Sequence, residues 1–370
     1  MDKGSYEYTD LQKKYGGFIA PHFTVYLDGK KLPCDEHNIS ELEVEINGDG
    51  TAGGCSFSVQ DVYIYGTNTW DNAIVQQLVP GAEIKIVGGY GKDEKKSQKE
   101  LFYGYVDDFT VEFSAETPPT LKVNGIDGLG YLMNCRQPIY GGKETPTNIV
   151  ETILKKAVSA GFAKSVSVGR LDPFQVPLVK EQVDDWRFLK LMARRCGATL
   201  MVVDGEMIFN TEEVNKEILT LTLGESLVRF SRRLDLSHQV GEVEIYGRDV
   251  NQKPIHAKVN TVTVGDSSYD SAAEMVPAFK KASLREYSEF ARTEEECKKL
   301  AQNRLNEIAM NFISGSGECI GIPELIPGRY IEIDGGDEFY MNGKYLLTKV
   351  VHKFTLEGYR TSFEFKGAKL

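Results

Sequence analysis

Glycines, carboxylates, histidines, serines and cysteines in this 370-residue sequence occur in patterns that could carry chemistry. The segment Gly48-Asp49-Gly50-Thr51-Ala52-Gly53 fits the G-x-G-x-x-G pattern of a dinucleotide-binding loop. Such a loop must lead into a helix, so that backbone amides at the helix N-terminus meet the pyrophosphate. Cys55-Ser56-Phe57-Ser58-Val59 follows instead, with the alternation of a strand. We therefore predict a glycine-rich β turn and no nucleotide site.

Three groups of neighbouring carboxylates are candidates for acid–base chemistry: Asp107-Asp108, Asp184-Asp185, and Asp334 with Asp337-Glu338. A glycosidase needs two carboxylates that face each other across a cleft, and the sequence does not place these groups so. Asp184-Asp185 is already explained as the start of a helix. Ser314-Gly315-Ser316-Gly317 lacks the strand and helix that flank a nucleophile elbow. We predict no catalytic residue.

Metal and cofactor sites are not predicted either. The five histidines lack H-x-x-x-H or H-E-x-x-H spacing: His22, His37, His238, His256 and His352. The six cysteines form no C-x-x-C pair and are interpreted as small buried hydrophobes: Cys34, Cys55, Cys135, Cys196, Cys297 and Cys319. The mixed-charge loop Lys92–Lys99 is interpreted as solvated surface, with contact to a partner as the alternative.

Composition and charge limit the classes of partner. Apolar residues make up 41% of the chain and charged residues 26%, as in soluble globular proteins with a core. The sequence contains neither an apolar run long enough for a membrane span nor an N-terminal signal peptide, so we expect a soluble protein made in the cytoplasm. Net charge is −11, of which −10 lies in residues 1–135, and this disfavours non-specific binding to nucleic acid or anionic membranes.

The elements that would position these residues begin after a polar segment, 1–18, which we expect to be a mobile arm or a short docking segment. Short alternating strands fill residues 19–135 and suggest a first tube-like barrel or sandwich. They are predicted at Phe23–Leu27, Leu42–Ile46, Phe57–Val59, Ile84–Val87, Phe102–Val106, Phe109–Phe113 and Leu121–Val123.

Residues 136–212 are predicted to form a small α/β domain. Thr145-Pro146 supplies an N-cap and first-turn proline for one helix, and Asp184-Asp185 begins a second helix that ends at Gly197. Two strands follow, joined by the turn Asp204-Gly205.

Residues 213–370 return to β structure and are predicted to form a second tube-like barrel. A weakly patterned stretch at 249–291 is interpreted as an extended excursion. The capping box at Thr293-Glu294-Glu295-Glu296 opens a helix over 293–312, whose apolar stripe we expect to pack under this second barrel. The predicted fold class is therefore mainly β, with two barrels flanking an α/β domain.

An internal repeat supports duplication of the β domain. Leu78–Gly89 matches Leu325–Gly336, each a Pro-Gly turn feeding an alternating strand that ends in Gly-Gly. An aromatic-rich strand and a further paired strand follow each copy.

The order of these motifs resembles the phage late control protein D family. The resemblance rests on Leu78–Gly81 with Leu101–Val106, on Leu121–Leu129, on the helix sequence Val183–Gly197, and on Ile326-Pro327-Gly328 followed by Gly343–Leu347 and His352. It covers roughly residues 20–367.

The resemblance implies a hub at the baseplate of a contractile tail, in a phage, a phage-tail-like bacteriocin or an injection particle. Such hubs are homotrimers whose two tube-like barrels per subunit form a six-fold-like ring between the hexameric tail tube and the trimeric spike. Tape-measure and baseplate wedge proteins are further implied partners, and assembly in the host cytoplasm precedes incorporation into the particle. The chain ends at Leu370 without a spike domain, so we expect the spike to be a separate polypeptide.

Two other functions stay open at this stage. A peptidoglycan hydrolase at the tail tip would need an opposed carboxylate pair in a cleft, and a carbohydrate-binding module would need aromatics on one exposed face. The acidic residues Glu43, Glu45, Asp107 and Asp108 raise a further alternative: they line the channel of the ring, or they only keep the free subunit soluble.

Overall fold

A computed structural model of the chain describes residues 3–32, 39–60, 62–114, 119–140, 145–174, 178–212, 214–336 and 340–370. Its helices are α1 (Tyr8–Lys14), α2 (Asn72–Val75), α3 (Glu94–Ser97), α4 (Gly128–Leu132), α5 (Pro146–Ser159), α6 (Asp185–Cys196), α7 (Ala272–Met275), α8 (Pro277–Lys280) and α9 (Glu294–Ala309).

Strands dominate, which confirms the mainly β fold class. They are β1 (Pro21–Leu27), β2 (Lys30–Lys31), β3 (Ile39–Asn47), β4 (Gly54–Val59), β5 (Tyr63–Ile64), β6 (Thr69–Trp70), β7 (Glu83–Tyr90), β8 (Gln98–Glu112), β9 (Thr120–Ile126), β10 (Ile139–Tyr140), β11 (Ser165–Val168), β12 (Val179–Lys180), β13 (Thr199–Val203), β14 (Glu206–Asn210), β15 (Val214–Thr222), β16 (Leu227–Leu234), β17 (Glu242–Arg248), β18 (Pro254–Val259), β19 (Ser283–Tyr287), β20 (Ile313–Ile320), β21 (Arg329–Asp334), β22 (Gly343–Thr355) and β23 (Gly358–Gly367).

Two groups of six strands have the same order. The first runs β1-β7-β8-β9-β4-β3 and the second β15-β21-β22-β23-β20-β16. Numbered along the chain within each group, both read 1-4-5-6-3-2. The groups differ at one end, because β1 pairs antiparallel with β7 whereas β15 pairs parallel with β21.

The internal repeat occupies equivalent places in the two groups. Gly81 and Gly328 both have positive φ, and each donates its backbone N–H, at 2.8 Å, to a carbonyl of the next long strand, Val106 and Leu347 respectively. Directly after these acceptors, both long strands carry a β-bulge. The duplication read in the sequence is therefore a duplication of turn, strand and bulge.

One sheet joins the two groups. The second half of β22 pairs antiparallel with β3, from Lys349 opposite Asn47 to Phe354 opposite Leu42. A single large core of buried side chains then extends beneath both groups, from Leu42 and Val44 on β3 to Val350 and Phe354 on β22. Alternation explains this burial, since every second residue of each strand faces the same side.

Residues 145–212 form a smaller layer with its own core. Thr145 and Asp184 cap α5 and α6 by accepting backbone N–H groups, and Gly197 ends α6 in the left-handed conformation. Both helices pack against the three-stranded sheet β11-β14-β13, in which β11 pairs parallel with β14. Strands β13 and β14 were predicted from the sequence, whereas β11 was not.

The expectation of an extended excursion at residues 249–291 is wrong. This stretch supplies β18 and β19, which pair with the two edges of β17 to form a separate three-stranded sheet. The apolar residues of β18 alternate, at Ile255, Ala257 and Val259, but the run is short and β19 adds only Leu284 to the packed cluster, so the two strands were not predicted.

The predicted packing of α9 is also wrong. The helix begins after the Thr293 cap, as its sequence predicts, but its buried residues pack on the β18-β17-β19 sheet. Leu305 and Ile308 contact the cluster around Val243 and Ile245 rather than the core beneath the large sheet. Helix α9 therefore closes a third, small layer of its own.

The N-terminal segment is not a mobile arm. Leu11 and Tyr15 are each only 2% exposed and belong to the large core. The backbone N–H of Tyr6 donates to the carbonyl of Ile218 at 2.7 Å, and the Arg329 guanidinium donates to the carbonyl of Gly4 at 2.8 Å. The segment is a docking element that binds its own chain, mainly through the second strand group.

Candidate functional site

An extended polar surface of the described chain is one face of eight consecutive strands, β16-β20-β23-β22-β3-β4-β9-β8. Every neighbouring pair in this run is antiparallel. Register places these polar side chains on one face: Arg229, Ser231, Arg233, Ser314, Ser316, Glu318, Arg360, Ser362, Glu364, Lys366, Lys349, Lys353, Glu43, Glu45, Ser56, Ser58, Lys122, Asn124, Asp108, Thr110 and Glu112. The opposite face supplies the core. We call the polar side the eight-strand face.

The C-terminal half of this face holds a depression of about 630 Å³, lined by β16, β20, β22 and β23. Gly315 and Gly317 leave room on the other side of β20 for two aromatic rings. A Cβ atom at Gly315 would lie 2.4 Å from the Phe365 ring, and one at Gly317 would lie 2.3 Å from the Phe363 ring. Aromatic side chains on β23 therefore replace the side chains that β20 lacks.

Ion pairs cross the joint between the two strand groups. Lys349 Nζ lies 2.8 Å from Glu45 Oε2, and Lys353 Nζ lies 3.3 Å from Glu43 Oε2. The acidic alternation of β3 thus meets two lysines of β22, and the face carries both signs in near balance. Partial exposure of all four side chains makes each pair worth at most about 1 kcal/mol of stability, so these pairs specify register more than they stabilise.

A buried polar network lies near this joint. Tyr15 donates its hydroxyl hydrogen to Glu324 at 2.6 Å, and Lys14 donates to the same carboxylate oxygen at 2.8 Å. Burial, followed by the Glu324 carboxylate, raises the pKa of Tyr15 well above its usual value. The Tyr90 ring packs on Tyr15 and on Tyr359. The N-terminal segment is therefore locked to elements from both strand groups.

His352 is fully buried in β22 beside this network. Tyr359 Oη lies 2.8 Å from His352 Nδ1 in a hydrogen bond, and Thr361 Oγ1 lies 3.2 Å from the same nitrogen. Burial lowers the pKa of His352 to about 3, so the imidazole is neutral at physiological pH. It fills core volume and is hydrogen-bonded to Tyr359 through Nδ1.

This burial predicts a pH effect on stability. The unfolded state binds the His352 proton near pH 6.5 and the folded state only near pH 3, so the stabilisation from the neutral ring is complete above about pH 6.5 and is lost as the pH falls. By pH 4.5 the loss should reach about 2–3 kcal/mol. Urea unfolding above pH 6.5 and at pH 4.5 should show that His352→Gln removes this part of the pH dependence of stability. The control His256→Gln, at an exposed histidine, should keep it. Equal pH dependence in parent and His352→Gln would contradict the assignment.

The carboxylate pairs have structural partners. Asp184 accepts from the backbone of Arg187 as a helix cap, and Asp185 is buried against Lys180 and Lys156. Asp108 accepts from the side chain of Asn124 on the eight-strand face. Asp334 accepts from the backbone of Gly336; Asp337 and Glu338 lie outside the described residues.

The glycine and serine motifs lie in β structure. Gly48–Gly53 forms the turn from β3 to β4, and Trp186 donates its indole N–H to the carbonyl of Gly50 at 2.7 Å. A strand follows this turn, as predicted. Ser314–Gly317 lies inside β20, and the Lys92–Lys99 loop contains α3, whose Glu94 accepts a hydrogen bond from Tyr26.

The described cysteines are free thiols, and Cys55, Cys297 and Cys319 are buried as predicted, while Cys135 and Cys196 are half-buried. Burial raises the pKa of Cys196 to about 11. Cys34 and His37 lie outside the described residues. Across the ranges that the structure describes, three or more His, Cys, Asp or Glu side chains nowhere gather as metal ligands. None of the helices described is both long and apolar enough to cross a bilayer.

Sequence reasoning missed the residues that join the two groups, above all Lys349 and Lys353. Their spacing of four on β22 complements the spacing of Glu43 and Glu45 on β3 only after the strands are paired. The two lysines and the two glutamates are about 300 residues apart in the sequence, and nothing local to either strand indicates the pairing.

Solved tail proteins share this fold. A tail protein from Neisseria meningitidis MC58 has a TM-score of 0.67 and 13% identity, covering 94% of this chain and 97% of that chain. The 43 kDa tail protein of prophage MuSo2 from Shewanella oneidensis has a TM-score of 0.64 and 16% identity, covering 93% and 97%. An Escherichia coli component of the type VI secretion system, described as similar to bacteriophage T4 tail proteins, has a TM-score of 0.55 and 14% identity, covering 92% and 76%.

No curated protein sequence matches the chain significantly. One family model, described as the Alg8 N-terminal domain, matches residues 21–355. That range begins with β1 and ends with β22, so it includes both repeat copies and the joint between them. This chain belongs to the Alg8 N-terminal domain family.

Proposed function

We propose that this chain is a structural hub of a contractile tail or injection particle, of the kind that late control protein D represents. Three copies form a ring that joins a hexameric tail tube to a trimeric spike. The observation that carries this proposal is the duplicated strand group, because two like units in each of three copies present six like units to a six-fold tube. The shared fold with solved tail proteins supports the same conclusion.

The eight-strand face supports ring closure. Because eight antiparallel strands are an even number, β16 at one end and β8 at the other run in opposite directions. The end of one copy can therefore continue the antiparallel order into the next copy, and closed head-to-tail symmetry removes both open edges of the eight-strand run. Each strand group then contributes one tube-like unit to the wall.

In such a ring the eight-strand face lines the channel. The alternative of a purely acidic lining loses support, because Glu43 and Glu45 are paired with lysines on this face. A mixed polar lining of small serines and paired charges suits passage of a cargo without adhesion. The spike, the tube and its adjoining baseplate components are the proposed partners, with assembly in the bacterial cytoplasm before the particle matures.

Counting the copies in a purified particle tests the hub proposal. We expect three copies per particle. Quantitative mass spectrometry with the tube protein as internal reference measures this number, and cryo-electron microscopy of the baseplate measures it independently. The chain should lie at the tube–spike junction. Six copies, two copies, or a location along the tube would contradict it.

We propose further that the chain acts without catalysis. Purified chain added to isolated peptidoglycan should cause no loss of turbidity, while lysozyme in a parallel sample clears it. Release of soluble fragments above the buffer control would instead support a tail-tip hydrolase.

A further inference from the structure

The joint inside the chain has an open counterpart at the two ends of the eight-strand face. In the joint, the second half of β22 pairs with β3. Within the duplicated order, β22 corresponds to β8, and β3 corresponds to β16. The second half of β8 pairs with β9 on one side, and β16 pairs with β20 on one side; no other described strand covers their outer edges.

Matching bulges and hydrogen bonds fix the correspondence residue by residue. The bulges place Asp108 where Lys349 lies, because both follow the strand residue that accepts the Pro-Gly turn hydrogen bond. Glu43 of β3 lies opposite Ser56 of β4, and Ser231 of β16 lies opposite Ser316 of β20. Because Ser316 is equivalent to Ser56, Ser231 is equivalent to Glu43. Counting along each strand, Glu112 corresponds to Lys353 and Arg233 corresponds to Glu45.

Corresponding strands of the joint and of the open edges carry charges of opposite sign. In the joint the long strand β22 carries lysines and β3 carries glutamates. At the open ends the long strand β8 carries Asp108 and Glu112, whereas β16 carries Arg229 and Arg233, and Arg233 is 74% exposed. The Lys349–Glu45 pair therefore has a charge-reversed counterpart in Asp108 and Arg233, whereas Glu112 and Ser231 take the places of Lys353 and Glu43.

The apolar side of the same register also matches. Phe113, just after β8, is 69% exposed and corresponds to Phe354, which faces Leu42 in the joint. The residue equivalent to Leu42 is Phe230. By the same count Phe109 meets Leu234, which is 45% exposed. This register opposes apolar residues on one face. On the other face it sets Asp108 diagonal to Arg233, as Lys349 is to Glu45 in the joint, and directly opposite Asp235, which pairs with Arg233 at 2.7 Å within the chain.

We infer that β8 of one copy pairs with β16 of a second copy in the register of the β22–β3 joint, with Asp108 bound to Arg233 of the neighbour. The partner is a second copy of this chain, because the two edges that complement each other, those of β8 and β16, belong to the same molecule. Pairing of β8 with β8, or of β16 with β16, would set like charges against each other and is disfavoured. This inference rests on the ring proposed above and names its contact.

Charge reversal tests the contact. Asp108→Arg and Arg233→Asp should each lower incorporation of the chain into particles at least about ten-fold, and the double variant should recover to within about three-fold of the parent. When the two single variants are mixed in equal amounts and alternate around a ring with an even number of copies, every contact joins opposite charges. In a ring of three, at least one contact joins like charges. Failure of the double variant to recover, with each single variant folded by circular dichroism, would overturn the ion pair.

Cysteine cross-linking tests the register without reversing charge. Glu112→Cys with Ser231→Cys corresponds to Lys353 opposite Glu43, so mild oxidation of assembled particles should give reducible covalent oligomers of this chain. The matched control, Val111→Cys with Ser231→Cys, is one residue out of register and should not cross-link. Three copies per particle with no cross-link, or with equal cross-linking of the control, would overturn the register and leave the hub function standing. Absence of three copies would instead overturn the hub.

Discussion

Replacing Lys180 with methionine is expected to lower the free energy of unfolding by about 3–5 kcal/mol, because the change removes the buried cation from one oxygen of a buried carboxylate. Lys180 and Asp185 both have fully buried side chains and form an ion pair. Lys180 also donates to the carbonyl of Gln137 at 2.7 Å, and Lys156 donates to the other oxygen of Asp185 at 2.7 Å. Methionine fills the volume of the lysine stem but supplies no hydrogen to either acceptor.

Chemical unfolding monitored by tryptophan fluorescence measures this loss, since Trp186 lies next to Asp185. Lys155→Met is the matched control: Lys155 pairs with Glu151 on the exposed side of α5, and its loss should change stability by less than about 0.5 kcal/mol. If both variants unfold at the same denaturant concentration as the parent, Lys180 does not hold its segment to α6.

Phe354→Ala is expected to cost about 3–5 kcal/mol, because it opens a cavity at the joint between the strand groups. The Phe354 ring stacks on Tyr359 with centroids 4.0 Å apart and packs against Phe23 at 5.2 Å. Its ring also lies over Gly88, where a Cβ atom would be only 2.8 Å away. One side chain thus connects β22, β23, β1 and β7.

The control for this variant lies two residues further on. Leu356 is at the tip of the β22–β23 turn and is fully exposed, so Leu356→Ala should leave stability within about 0.5 kcal/mol of the parent. Urea unfolding of both variants measures the difference. A Phe354→Ala protein as stable as the control would mean that the core collapses to fill the space.

The sequence was most informative where periodicity and capping act locally. Alternation located β3 and β7, and the N-caps Thr145 and Asp184 located α5 and α6, because these patterns depend only on neighbours within one element. β20 escaped prediction because its glycines and serines have no apolar period; the rings of β23 supply the packing instead.

Long-range pairing could not be derived from the sequence. The repeat indicated two like β units, yet nothing in either copy shows that β22 joins β3 or that the long strands end at ion-paired edges. That the chain has no catalytic or metal site stays a prediction. The eight-strand face could be recognised only once register had placed its side chains together.

The joint between β22 and β3 also determines how long β3 lacks its partner strand during synthesis. β3 leaves the ribosome about 300 residues before its partner strand. At bacterial elongation rates of about 5–20 residues per second, its outer edge stays unpaired for about 15–60 seconds. An unpaired strand edge is a template for aggregation, and charged side chains on it are a common protection. We therefore expect Glu43 and Glu45 to protect this edge from pairing with neighbouring nascent chains on a polysome, before β22 is synthesised and its lysines pair with them.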